Sequence, residues 1–152
     1  MLGNSYEGQV CSAARSLEVV GERWSLLIIR DALFGGVTRF SDFARRLGLA
    51  RNILTARLDG FVDAGIMERF SAEGSAYHEY RLTEKGRDLA PVIIALTDWG
   101  DRWAAPNGRP IIYRHIDCGG DVEQQLICGD CRRVIDQDQV GIALGPGMTG
   151  AA

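Results

Sequence analysis

The chain reads as mainly α with a small β-hairpin (α+β). Four stretches carry apolar residues at helical spacing, two short segments flank the turn AEGSA at 72–76, and a last apolar stripe ends in two tryptophans. At 152 residues with 46% hydrophobic content, the chain is long enough for one ordinary domain with a small appendage. Its longest apolar run, Ala90 to Leu96, falls far short of the roughly 20 residues that cross a bilayer, so no membrane partner is expected. The N-terminus lacks the basic and apolar regions of a secretion signal, which points to a cytoplasmic protein.

Val10, Ala14, Leu17 and Val20 recur at helical spacing and predict a short first helix ending near Gly21. A second, more apolar helix carries Trp24, Leu27, Ile28 and Phe34, widened by Leu26, Ile29 and Leu33, and stops at Gly35 and Gly36. Ser41 is placed to cap a third helix with Phe40, Phe43 and Leu47 turned inward. Gly48 supplies a tight turn into a fourth helix from about Ala50 to Ala64, whose inner stripe is Leu54, Leu58, Phe61 and Val62. Gly65 ends it. Extended segments Ile66–Ser71 and Tyr77–Leu82 then form a hairpin, in which Tyr80 and Leu82 alternate with Glu79 and Arg81.

Thr83 can cap a final long helix with Leu89, Val92, Ile93, Leu96, Trp99 and Trp103 on one stripe; Pro91 moves its regular part towards Ala90. Leu96, Trp99 and Trp103 extend that stripe beyond what a three-helix core can cover, which predicts a dimer contact, with core packing as the alternative. No internal repeat is found. The organisation expected is a domain at 1–104, a linker at 105–110, a cysteine-containing segment at 111–144 and a frayed tail at 145–152.

Net charge is -3, yet residues 39–57 hold Arg39, Arg45, Arg46, Arg51 and Arg57 against Asp42 alone. The second to fourth helices, a hairpin and a closing helix give the order of a winged helix-turn-helix domain whose second motif helix enters the major groove. Asn52 is placed to pair with an adenine edge, Arg51 with guanine or a phosphate, and Thr55 with a base or the backbone. Arg39, Arg45, Arg46 and Arg57 read as phosphate contacts, and the hairpin residues Tyr77 and His78 lie against the neighbouring backbone or minor groove. Asp59 and Asp63 oppose phosphate, and a merely solvated basic face is the bland alternative.

The pieces Cys11, GERWSLLIIRDALFGGVTRFSDFARRLGLARNILTARLDGFVDAGIMER and EYRLTEKGRDLAPVIIALTDWGDRW resemble the HxlR-type transcriptional regulators, a bacterial winged helix-turn-helix family. The resemblance covers residues 11–103, about three fifths of the chain. It implies a homodimer built from the first and last helices, with Leu17, Leu96, Trp99 and Trp103 at the interface, binding double-stranded DNA at a pseudo-palindromic operator. Such a dimer would set its recognition helices about 34 Å apart. Two positions depart from the family pattern: Ser12 stands where a proline often follows the cysteine, and Ala50 where a serine often enters the recognition helix. The missing cap would cost roughly 1 kcal/mol.

His115, Cys118, Cys128 and Cys131 form HxxC and CxxC pairs nine residues apart. Two such knuckles can complete a tetrahedral Cys₃His site, and a closed four-ligand site points to structural zinc in a zinc-ribbon-like segment. The segment has little more than Ile111, Ile112, Ile116, Val122, Leu126, Ile127, Val134 and Ile135 to bury, so a metal staple would help it fold. Unliganded cysteines and a redox CxxC are the alternatives. Cys11 is a candidate redox sensor if a helix N-terminus or Arg15 lowers its thiol pKa; a small buried hydrophobe is the other reading. Some HxlR-type relatives sense quinones, aldehydes or oxidants through a cysteine near this place.

The function expected is a repressor responsive to a small-molecule effector or to thiol oxidation. A protein-interaction module on the same scaffold is the alternative. With two histidines, no paired carboxylates and no nucleophile signature, no enzyme is expected.

Overall fold

The computed structural model describes residues 5–71 and 77–148. The expected turn at 72–76 therefore lies outside the described residues, as do residues 149–152. Two compact units divide the chain, 1–93 and 94–152, and the division falls inside the last long helix rather than at 105–110.

In the first unit, α1 (Ser12–Val20) begins at Cys11 and stops at Gly21. Ala14 and Val20 are buried, but Val10 and Leu17 are exposed. Leu17 lies three residues from each buried position and so between them around the helix, which leaves this face only partly covered within the unit. The central helix α2 (Ser25–Gly35) buries Ile28 and Ile29 completely and ends at Gly36, whose φ of 62° suits the left-handed cap that glycine tolerates. Phe34, expected inside, is exposed in the last turn.

Ser41 does not cap α3 (Phe40–Leu47); Arg39 occupies the cap without a side-chain bond, and Ser41 falls in the first turn. The cause lies just upstream. Thr38 accepts the Tyr80 N–H at 2.7 Å and Arg39 bridges to Glu79, so the chain is extended through Arg39 and turns helical on leaving that contact. Gly48, at φ 63°, then ends α3, and α4 (Arg51–Asp63) follows from an Ala50 cap that makes no side-chain bond. Leu54, Leu58 and Phe61 of α4 are fully buried beside Phe43 and Met67, each such side chain contributing about 1.5–3 kcal/mol of transfer free energy.

Strands β1 (Met67–Phe70) and β2 (Glu79–Leu82) pair antiparallel, Met67 opposite Leu82 and Phe70 opposite Glu79. The stretch after them is two helices, because Pro91 is tolerated in the first turn of a helix but not in the interior of one continuous helix from Glu84. The single turn α5 (Glu84–Arg87) is capped by Thr83, whose hydroxyl accepts the Gly86 N–H, and α6 runs Ala90–Trp103. Thr83 also donates to the Gly65 carbonyl at 2.7 Å and Lys85 to that of Ala64 at 2.7 Å, satisfying the end of α4. Gly86 is required there: a Cβ would stand 2.3 Å from the Ile66 carbonyl oxygen.

The second unit contains the C-terminal part of α6, a hairpin of β3 (Leu126–Ile127) and β4 (Val134–Ile135), and short 3₁₀ turns at Gln137–Gln139 and Pro146–Met148. The last of these falls in the segment expected to be frayed. Arg109 reaches Asp101 at 3.4 Å and Asp121 at 3.3 Å. None of the eight apolar residues expected to form a core here is buried; Ile116 is 97% exposed. No helix among the described residues is long and apolar enough to cross a membrane.

Candidate nucleic-acid interface

Helix α4 presents Arg51, Asn52, Ile53, Thr55 and Ala56 to solvent while Leu54 and Leu58 anchor its other side. The 3.6-residue period sets Asn52 and Ala56 opposite Leu54, Leu58 and Phe61, while Arg51 and Thr55 flank the buried stripe and are exposed beside them. The starts of α3 and α4 and the wing then enclose an open pocket of about 390 Å³ lined by Arg39, Phe40, Ser41, Arg51, Tyr77, His78 and Tyr80. Four of the residues singled out for DNA contact, Arg39, Arg51, Tyr77 and His78, come together there. His78 shares a hydrogen bond with Ser71 across the hairpin through its Nδ1.

The other arginines are arranged less simply than a sequence window suggests. Asp31 is 3% exposed and binds Arg30 through Nε at 3.0 Å and Nη2 at 2.7 Å, while Arg46 Nε approaches its second oxygen at 3.4 Å. Arg46 thus joins α3 to α2. Arg57 lines a hollow with Glu18 and Val19 of α1 and stands 3.9 Å from Glu22. Arg45 pairs with Asp42 at 2.6 Å and Arg39 with Glu79 at 4.0 Å. Among the described residues, Arg51 has no carboxylate partner; its guanidinium lies 5.4 Å from the Phe40 ring centroid. The local excess of +4 counted between 39 and 57 is therefore offset by Glu22, Asp31 and Glu79 from outside that window.

Arg69 was not singled out, yet it bridges β1 to Asp59 of α4. Its guanidinium is held more firmly in the charged form, first by the Tyr80 side chain and then by Asp59. One of the two carboxylates expected to repel phosphate is thereby neutralised. An arginine on a strand has no fixed sequence distance to a helix it packs against, so only the fold reveals the pair.

Outside this face, Cys11 is exposed at the start of α1 in the single chain. Arg15 is engaged by Glu18 at 3.0 Å and by the Tyr6 carbonyl at 2.7 Å. Leu17, Leu96, Trp99 and Trp103 are all exposed, Trp99 at 61% and Trp103 at 66%. His115 Nδ1 lies 3.1 Å from Cys118 Sγ, and Cys128 hydrogen-bonds Cys131. The Cys131 thiol is held below its ordinary range, chiefly by the backbone of Arg133 and then by its side chain. Each expected ligand pair is therefore assembled, although no group of three or more His, Cys, Asp or Glu among the described residues is close enough to hold an ion.

The HxlR-like helix-turn-helix family matches residues 19–108. The chain belongs to that family. Its mainly helical, winged-helix architecture is the one expected from the sequence, and it places the chain among the HxlR-like transcriptional regulators. The uncharacterized HTH-type transcriptional regulator Rv3095 of Mycobacterium tuberculosis is 45% identical over 150 residues, 97% of this chain and 92% of the relative. The crystal structure of PA1607 superposes with a TM-score of 0.80 at 41% identity, covering 88% of this chain and 94% of that one. The redox regulator HypR in its reduced form gives 0.55 at 28% identity over 60% of this chain and 92% of its own. Rv3095 and PA1607 thus match well beyond the HxlR-like domain, into the second unit.

Proposed function

We propose that this HxlR-like protein is a homodimeric, sequence-specific repressor that sets two copies of α4 into successive major grooves of a pseudo-palindromic operator. The observation that carries this reading is the α4 face itself. Arg51, Asn52 and Thr55 are exposed together, and Arg51 is free of the carboxylates that occupy the other arginines of the cluster. Asn52 reads an adenine edge and Arg51 a guanine, while Arg39, Arg45, Tyr77 and His78 position the backbone. Leu17 on α1 and, in the other unit, Leu96, Trp99 and Trp103 on α6 are exposed apolar side chains of the kind that a second copy covers.

Release from DNA follows a small-molecule effector or oxidation of Cys11. The exposure of Cys11 supports the second route, as does likeness to a protein described as a redox regulator and solved in reduced and oxidised forms. The test is titration of the protein with its own upstream DNA and with random DNA across salt concentrations. Affinity should fall steeply with salt. Arg51→Ala or Asn52→Ala should each cost about 1–3 kcal/mol of discrimination between the two DNAs. Equal binding of both DNAs by the unaltered protein would overturn the reading in favour of a protein-interaction module. Cys11→Ser should retain binding and lose any response to oxidant.

A further inference from the structure

The second unit contains a repeat that its sequence conceals. His115 N–H donates to the Gly120 carbonyl at 2.8 Å, and Gly119 N–H donates back to the His115 carbonyl at 2.8 Å. Thirteen positions on, Cys128 N–H donates to the Arg133 carbonyl at 3.0 Å, and Arg132 N–H returns to the Cys128 carbonyl at 3.0 Å. The residue after the fourth position, Cys118 or Cys131, is left-handed in both loops, Gly119 at φ 71° and Arg132 at φ 59°. Arg132 is the one non-glycine residue with positive φ among those described. A bulky side chain is unfavourable in that region, so the loop holds it there against its preference. The flanks repeat too: Arg114 bridges Asp121 as Ile127 pairs with Val134.

We propose that these twin loops are the two halves of one tetrahedral zinc site, with His115 Nδ1 and the thiolates of Cys118, Cys128 and Cys131 as its ligands. Each loop turns its first and fourth residues to one side, and the side chains meet there: His115 Nδ1 with Cys118 Sγ at 3.1 Å, and Cys128 with Cys131 by a hydrogen bond. Zinc bonds of about 2.3 Å to sulfur and about 2.0–2.1 Å to nitrogen at a tetrahedral angle put those two atoms about 3.5 Å apart. The first pair thus needs only a small opening. Asp117 Oδ2 stands 3.6 Å from His115 Nε2, from where a small closure would let a carboxylate outside the ligand set accept the Nε2 proton and leave Nδ1 free for metal.

The second argument is the missing core. Every buried apolar residue among those described belongs to residues 1–93. One hairpin of two-residue strands and a loop closed by a single bridge have little apolar area to set against their ordering entropy, and a shared ion supplies what burial does not. Binding brings the second pair to the first and completes a group that the metal-free arrangement leaves as two. Three thiols give up their protons to solvent as three Zn–S bonds form, and neutral imidazole supplies the fourth electron pair. Four protein ligands leave no position for water, so the ion is structural.

The experiment is cobalt titration of the metal-free, reduced full-length chain, read by the visible bands of tetrahedral cobalt thiolate, followed by displacement with zinc. One ion per chain is expected. Cys118→Ser and Cys131→Ser should each weaken binding at least about 100-fold, and Asp117→Asn about tenfold. Cys11→Ser should bind as the unaltered protein does, which separates this site from the first unit. Bands that survive Cys118→Ser, one ion per two chains, or no tetrahedral spectrum would each overturn the proposal. Operator binding by the same samples is a separate measurement whose failure bears on the regulator reading alone.

Discussion

The two units of this chain are held by different forces. Residues 1–93 enclose Ile28, Ile29, Phe43, Leu54, Leu58, Phe61 and Met67, whereas no residue from 94 onward among those described is buried. In place of a core the second unit has turns, the close pair His115–Cys118 and Arg109 held between Asp101 and Asp121. Apolar burial is non-directional and tolerates drift, whereas polar pairs depend on the identity of their atoms. Substitutions should therefore be felt by volume in the first unit and by chemistry in the second.

The sharpest break in that comparison is a matched pair of truncations. Leu58→Ala should lower unfolding free energy by about 2–5 kcal/mol, and Leu126→Ala, at an exposed position, by no more than about 0.5 kcal/mol, both read by denaturant melts. A similar cost for both would mean that the second unit has a core after all. Next in size is Asp31→Asn. It removes the charge shared by Arg30 and Arg46 and should cost about 1.5–3 kcal/mol in the same melts, showing how much of the first unit rests on a polar clamp. The smallest effect is a gain. Ala50→Ser, at a cap with extended backbone and no side-chain bond, should stabilise α4 by roughly 1 kcal/mol and leave cobalt binding unchanged.

Helix ends were readable in the sequence where the backbone demands a particular residue. Gly36, Gly48 and Gly65 all have positive φ, and each lies where a helix was expected to stop. The break at Pro91 and the exposed face of Arg51, Asn52 and Thr55 followed from similarly local rules. Features that depend on distant partners were hidden. Ser41 looked like a cap because the contact of Thr38 and Arg39 with β2 has no local signature. The arginine cluster looked more basic than it is because Glu22, Asp31 and Glu79 approach it in space. The thirteen-residue backbone repeat has little sequence signature because His115 corresponds to Cys128 and Gly119 to Arg132, different residues at equivalent positions.

The stretch Thr83–Lys85 begins α5 and also ends α4, through the carbonyls of Ala64 and Gly65. The carbonyls of Gly60, Phe61 and Val62 in the last turn of α4 are taken by the N–H groups of Ala64, Ile66 and Gly65, so what the returning chain adds is a partner for the two carbonyls just past the helix. Local opening should reflect this. The amides at the C-terminal end of α4 and those of the hairpin should exchange with solvent as one cooperative group, while the first turn of α4 exchanges independently.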